Sequence, residues 1–219
     1  MINKILPSAA DAVYGVHDGA VILCGGFASC GFADELLEAL HAHGARNLTL
    51  VANNPEVSER GMVLLLRDQR ISKLVCSYSR LEGTALIEDL IDDGMEIIPQ
   101  GTLAERVRCA GAGIPGFYTR TGVGTPLALG KEHRDFDGDT FIFEPALRAD
   151  FAFVRARRVD RWGNLVYDKS ARNFNPVMAM GGARTIAQVD EIVGLGELDP
   201  EAIITQGIFV QHVVETREP

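Results

Sequence analysis

The sequence has no CxxC pair, and its 4 cysteines, Cys24, Cys30, Cys76 and Cys109, are scattered along 219 residues. That spacing fits neither a zinc site nor a disulfide framework, so all four are expected to be buried free thiols. Long apolar runs are also missing. The block around Met62 to Leu66 falls far short of the roughly 20 residues a membrane span needs, and MINKILPSAADAVYG lacks the apolar core of a secretory signal. The chain therefore reads as mature sequence, cytoplasmic and without a membrane partner. Positive charge is scarce: 21 Lys and Arg against 30 Asp and Glu give a formal net charge of -9, which argues against a broad nucleic-acid surface. No GKS or GKT marks a P-loop. No nucleophile triad stands out: His41 and His43 fall on an exposed helix face and His133 in a charged loop, none beside an evident nucleophile.

What remains is an ordinary soluble α/β composition, with 47% hydrophobic and 23% charged residues and 23 glycines. The length suits a single domain over residues 1–219 with a sizeable core. Ser8 and Asp11 signal a first helix. Ala20 to Cys24 is an apolar run short enough for a doubly buried strand, closed by Gly25 and Gly26 and followed by helical spacing from Gly31 to His43. Strands at Leu48–Ala52, Ile71–Ser77 and Met95–Ile98 alternate with helices near Glu59–Arg67 and Glu82–Asp93, which predicts an open, mostly parallel sheet with flanking helices. The second half is richer in hairpin. Strands are expected at Thr140–Phe143 and Phe151–Val159, with Asp160-Arg161-Trp162-Gly163 turning into Asn164–Tyr167. A short helix follows at Phe174–Met180, entered through Asn173 and Asn175, and Thr185–Val193 and Gly207–Val214 return to the sheet.

The stretch from Pro99 to Thr125 organises the chain: a helix starting near Thr102 empties into a loop with glycines at 111, 113, 116, 122 and 124. Gly111, Gly113 and Gly116 match GxGxxG, but a helix precedes them and extended chain follows, the reverse of the dinucleotide fingerprint. Gln100 sits at the strand-to-helix corner, where a neutral amide can hold a developing oxyanion. The turn CGGFASCG, from Cys24 to Gly31, has a strand before it and a helix after. Its amides either cradle a phosphate or carboxylate, or its glycines only permit a tight crossover. Asn53 and Asn54 lie at a second strand end, as ligand contacts or as plain loop residues. Of the carboxylates, Glu144 ends a strand and Glu105 forms an i, i+3 pair with Arg108. No residue cluster suggests a metal.

Together these stretches resemble the α subunit of the two-subunit family I CoA-transferases. The carriers run nearly end to end: DGAVILCGGFASCG at Asp18–Gly31, VANN at Val51–Asn54, the Pro99–Thr125 stretch, DRWGNLVYDKSARNFNP at Asp160–Pro176 and GELDPEAIITQGIFV at Gly196–Val210. The resemblance implies a CoA-transferase fold and an α2β2 heterotetramer. It also implies a ping-pong transfer of CoA between succinyl-CoA and a 3-oxoacid, with the CoA thioester as substrate and no permanently bound cofactor. The nucleophile it implies is a glutamate in a Ser-Glu-Asn-Gly motif of the β subunit; no such motif occurs in this chain. By the same resemblance Gln100 is the active-site glutamine, Asn53 and Asn54 face the substrate carboxylates, and Cys24, Gly25, Gly26, Phe27, Ala28, Ser29 and Cys30 contact CoA. Two departures stand out: Ala33 where the family has proline, and Pro55 and Glu56 where small residues are usual. The segment Ala149–Met180 is most similar to 3-oxoadipate members, with acetoacetate the near alternative and Arg120 a candidate partner for a second carboxylate. A sugar-phosphate isomerase or a ligand sensor on a related sheet is the remote alternative.

Overall fold

The computed structural model describes residues 2–55, 60–78 and 94–216. Strand β1 (Val21–Cys24) shows why its apolar run is uninterrupted. Ile22 and Cys24 pack into one hydrophobic cluster and Leu23 into a second, so both faces of the strand are buried. The same alternation runs through β2 (Leu48–Val51) and β3 (Ile71–Cys76), with Leu48, Leu50 and Leu74 on one side and Val51 and Val75 on the other. Helices α1 (Ala9–Val13), α2 (Asp34–His43) and α3 (Met62–Arg67) supply the first cluster. Helices α4 (Gln100–Gly111) and α5 (Asn175–Gly181) supply the second through Leu103, Val107, Met178 and Ala179.

The main sheet adds β4 (Met95–Ile97), β8 (Ala149–Asp160), β10 (Gly182–Val193) and β11 (His212–Glu215), in the order β11-β10-β8-β1-β2-β3-β4 with every pair parallel. A short β9 (Leu165–Val166) pairs antiparallel with β8 across the expected Asp160–Gly163 turn. The chain steps outward from β1 to β4 and returns on the other side of β1 as β8, so the strand order reverses at β1.

A second, antiparallel sheet has the order β5-β7-β6, formed by β5 (Gly116–Thr119), β6 (His133–Phe136) and β7 (Asp139–Pro145). His133, expected in a loop, opens β6, whose four residues are all exposed. The helix expected at residues 82–93 lies outside the described residues, as do Glu56 and Glu59. Helix α4 begins at Gln100 rather than near Thr102, because Pro99 at its cap presets φ at -51°. Among the described residues no helix is long and apolar enough to cross a membrane.

Candidate active site

In an open parallel sheet, ligands settle at the carboxyl ends of the strands where the strand order reverses. A cavity of about 740 Å³ lies at the carboxyl ends of β1 to β4, on one side of that reversal. Each wall comes from residues just past one strand. Phe27, Ala28 and Ser29 follow β1; Asn53 and Asn54 follow β2; Ser77 and Tyr78 follow β3; Gln100 follows β4. Four strand ends therefore place the sequence-predicted amides around one space. Ser77 and Tyr78 escaped the sequence reading, although the strand-end rule that singled out Asn53 applies equally to them.

A hydrogen-bond count separates the amides into two kinds. Asn54 has both N–H groups committed, to Ala28 O at 3.0 Å and Pro55 O at 2.7 Å. Its Oδ1 accepts from Ala28 N at 2.8 Å and from Asn53 Nδ2 at 2.9 Å. A carboxamide has no further capacity, so Asn54 serves the architecture of the wall. Asn53 Oδ1 accepts from Ser77 Oγ at 2.7 Å and from Gln100 Nε2 at 2.8 Å. That leaves one N–H on Asn53, one N–H on Gln100 and Gln100 Oε1 uncommitted among the described residues. The network fixes the direction of both N–H groups before a ligand arrives, the arrangement in which donors stabilise developing negative charge best.

No cavity-lining residue among those described is a carboxylate, imidazole, thiol or cation. Cys76, next to Ser77, is buried, and burial pushes its thiol up to about 11, leaving it protonated and unreactive near neutrality. Glu144 is 2% exposed and receives Lys131 Nζ at 2.5 Å on the second sheet. Glu105 pairs with Arg108 at 2.7 Å as the spacing predicted, and that hydrogen bond holds its carboxyl below the usual range. His41 bonds Asp68 at 2.6 Å. Arg120 is exposed on the second sheet, on Asp139 at 3.0 Å, and does not line the cavity. No three His, Cys, Asp or Glu among the described residues gather into a metal-ligating group.

The glycine turn after β1 bears on the choice between its two readings and corrects one expectation, the burial of Cys30. A Cβ on Gly25 would stand 1.8 Å from Asn175 Oδ1, and one on Gly31 (φ +79°) 2.6 Å from Ala171 O. These glycines thus permit close packing. The turn's own amides are largely committed: Gly25 N donates to Phe153 O, Gly26 N to Asn173 Oδ1, Phe27 N to Cys30 O, Ala28 N to Asn54 Oδ1 and Cys30 N to Phe27 O. At the start of α2, the amides of Glu35 and Leu36 donate to Gln188 Oε1 at 3.0 and 3.4 Å. Cys30, expected to be buried, is exposed, whereas Cys24, Cys76 and Cys109 are buried. Reciprocal 3.0 Å bonds between Phe27 and Cys30 close the turn and leave Cys30 at its outer end.

Residues 6–216 match the family model described as Coenzyme A transferase. The chain belongs to the coenzyme A transferase family. Among its coenzyme A transferase relatives, the corresponding subunit of the 3-oxoadipate CoA-transferase of Pseudomonas putida is 50% identical over 98% of this chain and 94% of its own length. That of the succinyl-CoA:3-ketoacid coenzyme A transferase of Helicobacter pylori is 42% identical over 97% of this chain and 92% of its own. An acyl-CoA transferase from Escherichia coli O157:H7, solved as a thioester complex with CoA, superimposes with a TM-score of 0.87 at 24% identity, covering 100% of this chain and 48% of that one. The chain thus spans about half the length of that transferase, and the likeness establishes the coenzyme A transferase fold.

Proposed function

We propose that this chain is the α subunit of a succinyl-CoA:3-oxoacid CoA-transferase, acting as one domain in an α2β2 assembly, with 3-oxoadipate as the preferred acceptor and acetoacetate as the alternative. The observation that carries it is the pair of uncommitted N–H groups on Asn53 and Gln100, on residues lining a cavity whose described lining holds no carboxylate, imidazole or thiol. In the proposed cycle a glutamate supplied by the β partner attacks the succinyl-CoA carbonyl. The tetrahedral oxyanion collapses to an acyl-glutamyl anhydride and CoA thiolate leaves. The thiolate attacks the glutamyl carbonyl, succinate departs, and a glutamyl-CoA thioester remains; the 3-oxoacid carboxylate then reverses both steps. Every step passes through an oxyanion, and each presents a task for the Gln100 and Asn53 donors. Phe27, Ala28 and Ser29 present the turn to the CoA thioester. Cys24, Gly25 and Gly26 are buried beneath it, supporting the turn from within. The relatives named for 3-oxoadipate and for succinyl-CoA:3-ketoacid transfer support the substrate class.

The test is complementation. The purified chain should show no CoA transfer from succinyl-CoA to 3-oxoadipate, and a β partner carrying Ser-Glu-Asn-Gly should restore it. Borohydride trapping of the thioester should label only the partner. Turnover by this chain unaided, or label on Glu144, would sink the assignment.

A further inference from the structure

The loop from Gly26 to Cys30 forms one wall of the cavity, yet groups distant in sequence fix its shape. At its tip Ala28 has φ +55°, a conformation that costs a residue bearing a Cβ. Asn54 holds that tip by bonding the N–H and the C=O of Ala28 at 2.8 and 3.0 Å. At its neck stands Asn173. Asn173 Oδ1 accepts from Gly26 N at 3.1 Å where the chain enters the loop, and its Nδ2 donates to Cys30 O at 3.0 Å where the chain leaves. One carboxamide therefore closes the loop across both of its ends.

Asn173 is held for this in turn. Its Oδ1 also takes Phe174 N at 2.6 Å. Its neighbour Asn175, with no exposed surface, bonds Gly31 O at 2.9 Å, Ala171 O at 3.0 Å and Arg155 N at 2.8 Å. Asn173 itself has φ +21° and ψ -118°, a backbone conformation that suits glycine. A glycine there would lack the carboxamide.

We propose that Asn173 is a positioning residue for the CoA thioester. By closing the neck of the Gly26–Cys30 loop it keeps Phe27, Ala28 and Ser29 on the cavity wall before the thioester arrives, so binding does not have to order them. This rests on assigning the cavity to the thioester, as above.

Two variants test it in the enzyme assembled with its β partner. Asn173→Ala removes the carboxamide, and Asn173→Gly removes it while easing the backbone. Losing the two loop bonds should raise hydrogen exchange at Gly26 and alkylation of exposed Cys30 about tenfold in both variants, and KM for succinyl-CoA about tenfold, with kcat within about twofold. Exchange in β10 should not change, which reports that the fold is intact. Unchanged exchange and alkylation in both variants would overturn the clamp whatever the activity. A loosened loop with an unchanged KM would overturn its role toward the thioester. Loosening in Asn173→Ala alone would assign the effect to the backbone and overturn the carboxamide role; should that variant fail to fold, Asn173→Gly carries the test. A wild-type assembly that transfers no CoA, with a loop that still loosens in the variants, would support the clamp and overturn the transferase assignment instead.

Discussion

Gln100 is exposed, yet it is not free to turn. One of its N–H groups is spent on Asn53 Oδ1 at 2.8 Å, which fixes the direction of the other, on a residue that lines the cavity. Removing a single oxyanion donor typically costs roughly 2.7–4 kcal/mol of barrier. Gln100→Ala in the assembled enzyme should therefore lower kcat on the order of a hundredfold with little change in KM. Because the side chain is exposed, the melting temperature should hardly move. A steady-state assay beside a thermal melt checks both, and an unchanged kcat would retire Gln100 as a donor. Asn54 differs in kind from Gln100. Its four hydrogen-bonding positions are filled by protein atoms, so truncating it would act by releasing Ala28, with its φ of +55°.

At the scale of elements, α2 shows how a strand completes a helix it never adjoins in sequence. Ala33 at its cap position offers no side-chain acceptor, and the first-turn amides need one. Gln188 on β10 supplies it from 153 residues away and is 1% exposed. Gln188→Ala would remove the acceptor that the Glu35 and Leu36 amides share and should destabilise the chain by about 2 kcal/mol. Urea unfolding would show this as a lower midpoint at constant m-value; an unshifted midpoint would refute the capping role. The β6–β7 hairpin makes the complementary point. Its turn carries Asp137 at φ +51° and Gly138 at φ +87°, the Asp-Gly signature of a tight hairpin. The preceding His133–Phe136 segment has no buried face to impose alternation.

Across the whole molecule, the sheet is covered on both sides by separate helix layers, while the small β5-β7-β6 sheet stands outside that sandwich. Local opening follows burial and pairing. Amides of β1, β8 and β10, each flanked by a strand on both sides, should exchange on the order of a hundredfold more slowly than those of the exposed edge strand β6. Hydrogen exchange resolved by segment would check this in the full chain, and equal protection would mean that the two sheets open as one unit. At the carboxyl ends of the strands the same architecture brings neutral amides, serine hydroxyls, two aromatic rings and loop backbone to one space. In the proposed cycle the carboxylate for the covalent step is the β partner's.

Much of this was legible in residues alone. The doubly buried run of β1 could be read because a strand covered on both faces is apolar along its length. Strands β2 and β3, which carry Thr49, Ser72 and Lys73, were legible only as strands alternating with helices. Gln100, Asn53 and Asn54 could be nominated because polar residues just past such strands have no core to enter. Local pattern could not reveal that Asn54 is saturated, that Gln188 occupies the start of α2, or that Asn173 closes a loop 143 residues upstream of it in the chain. A carboxamide looks the same in sequence whether its donors face a ligand or a backbone carbonyl, and only tertiary packing decides which of them remain uncommitted.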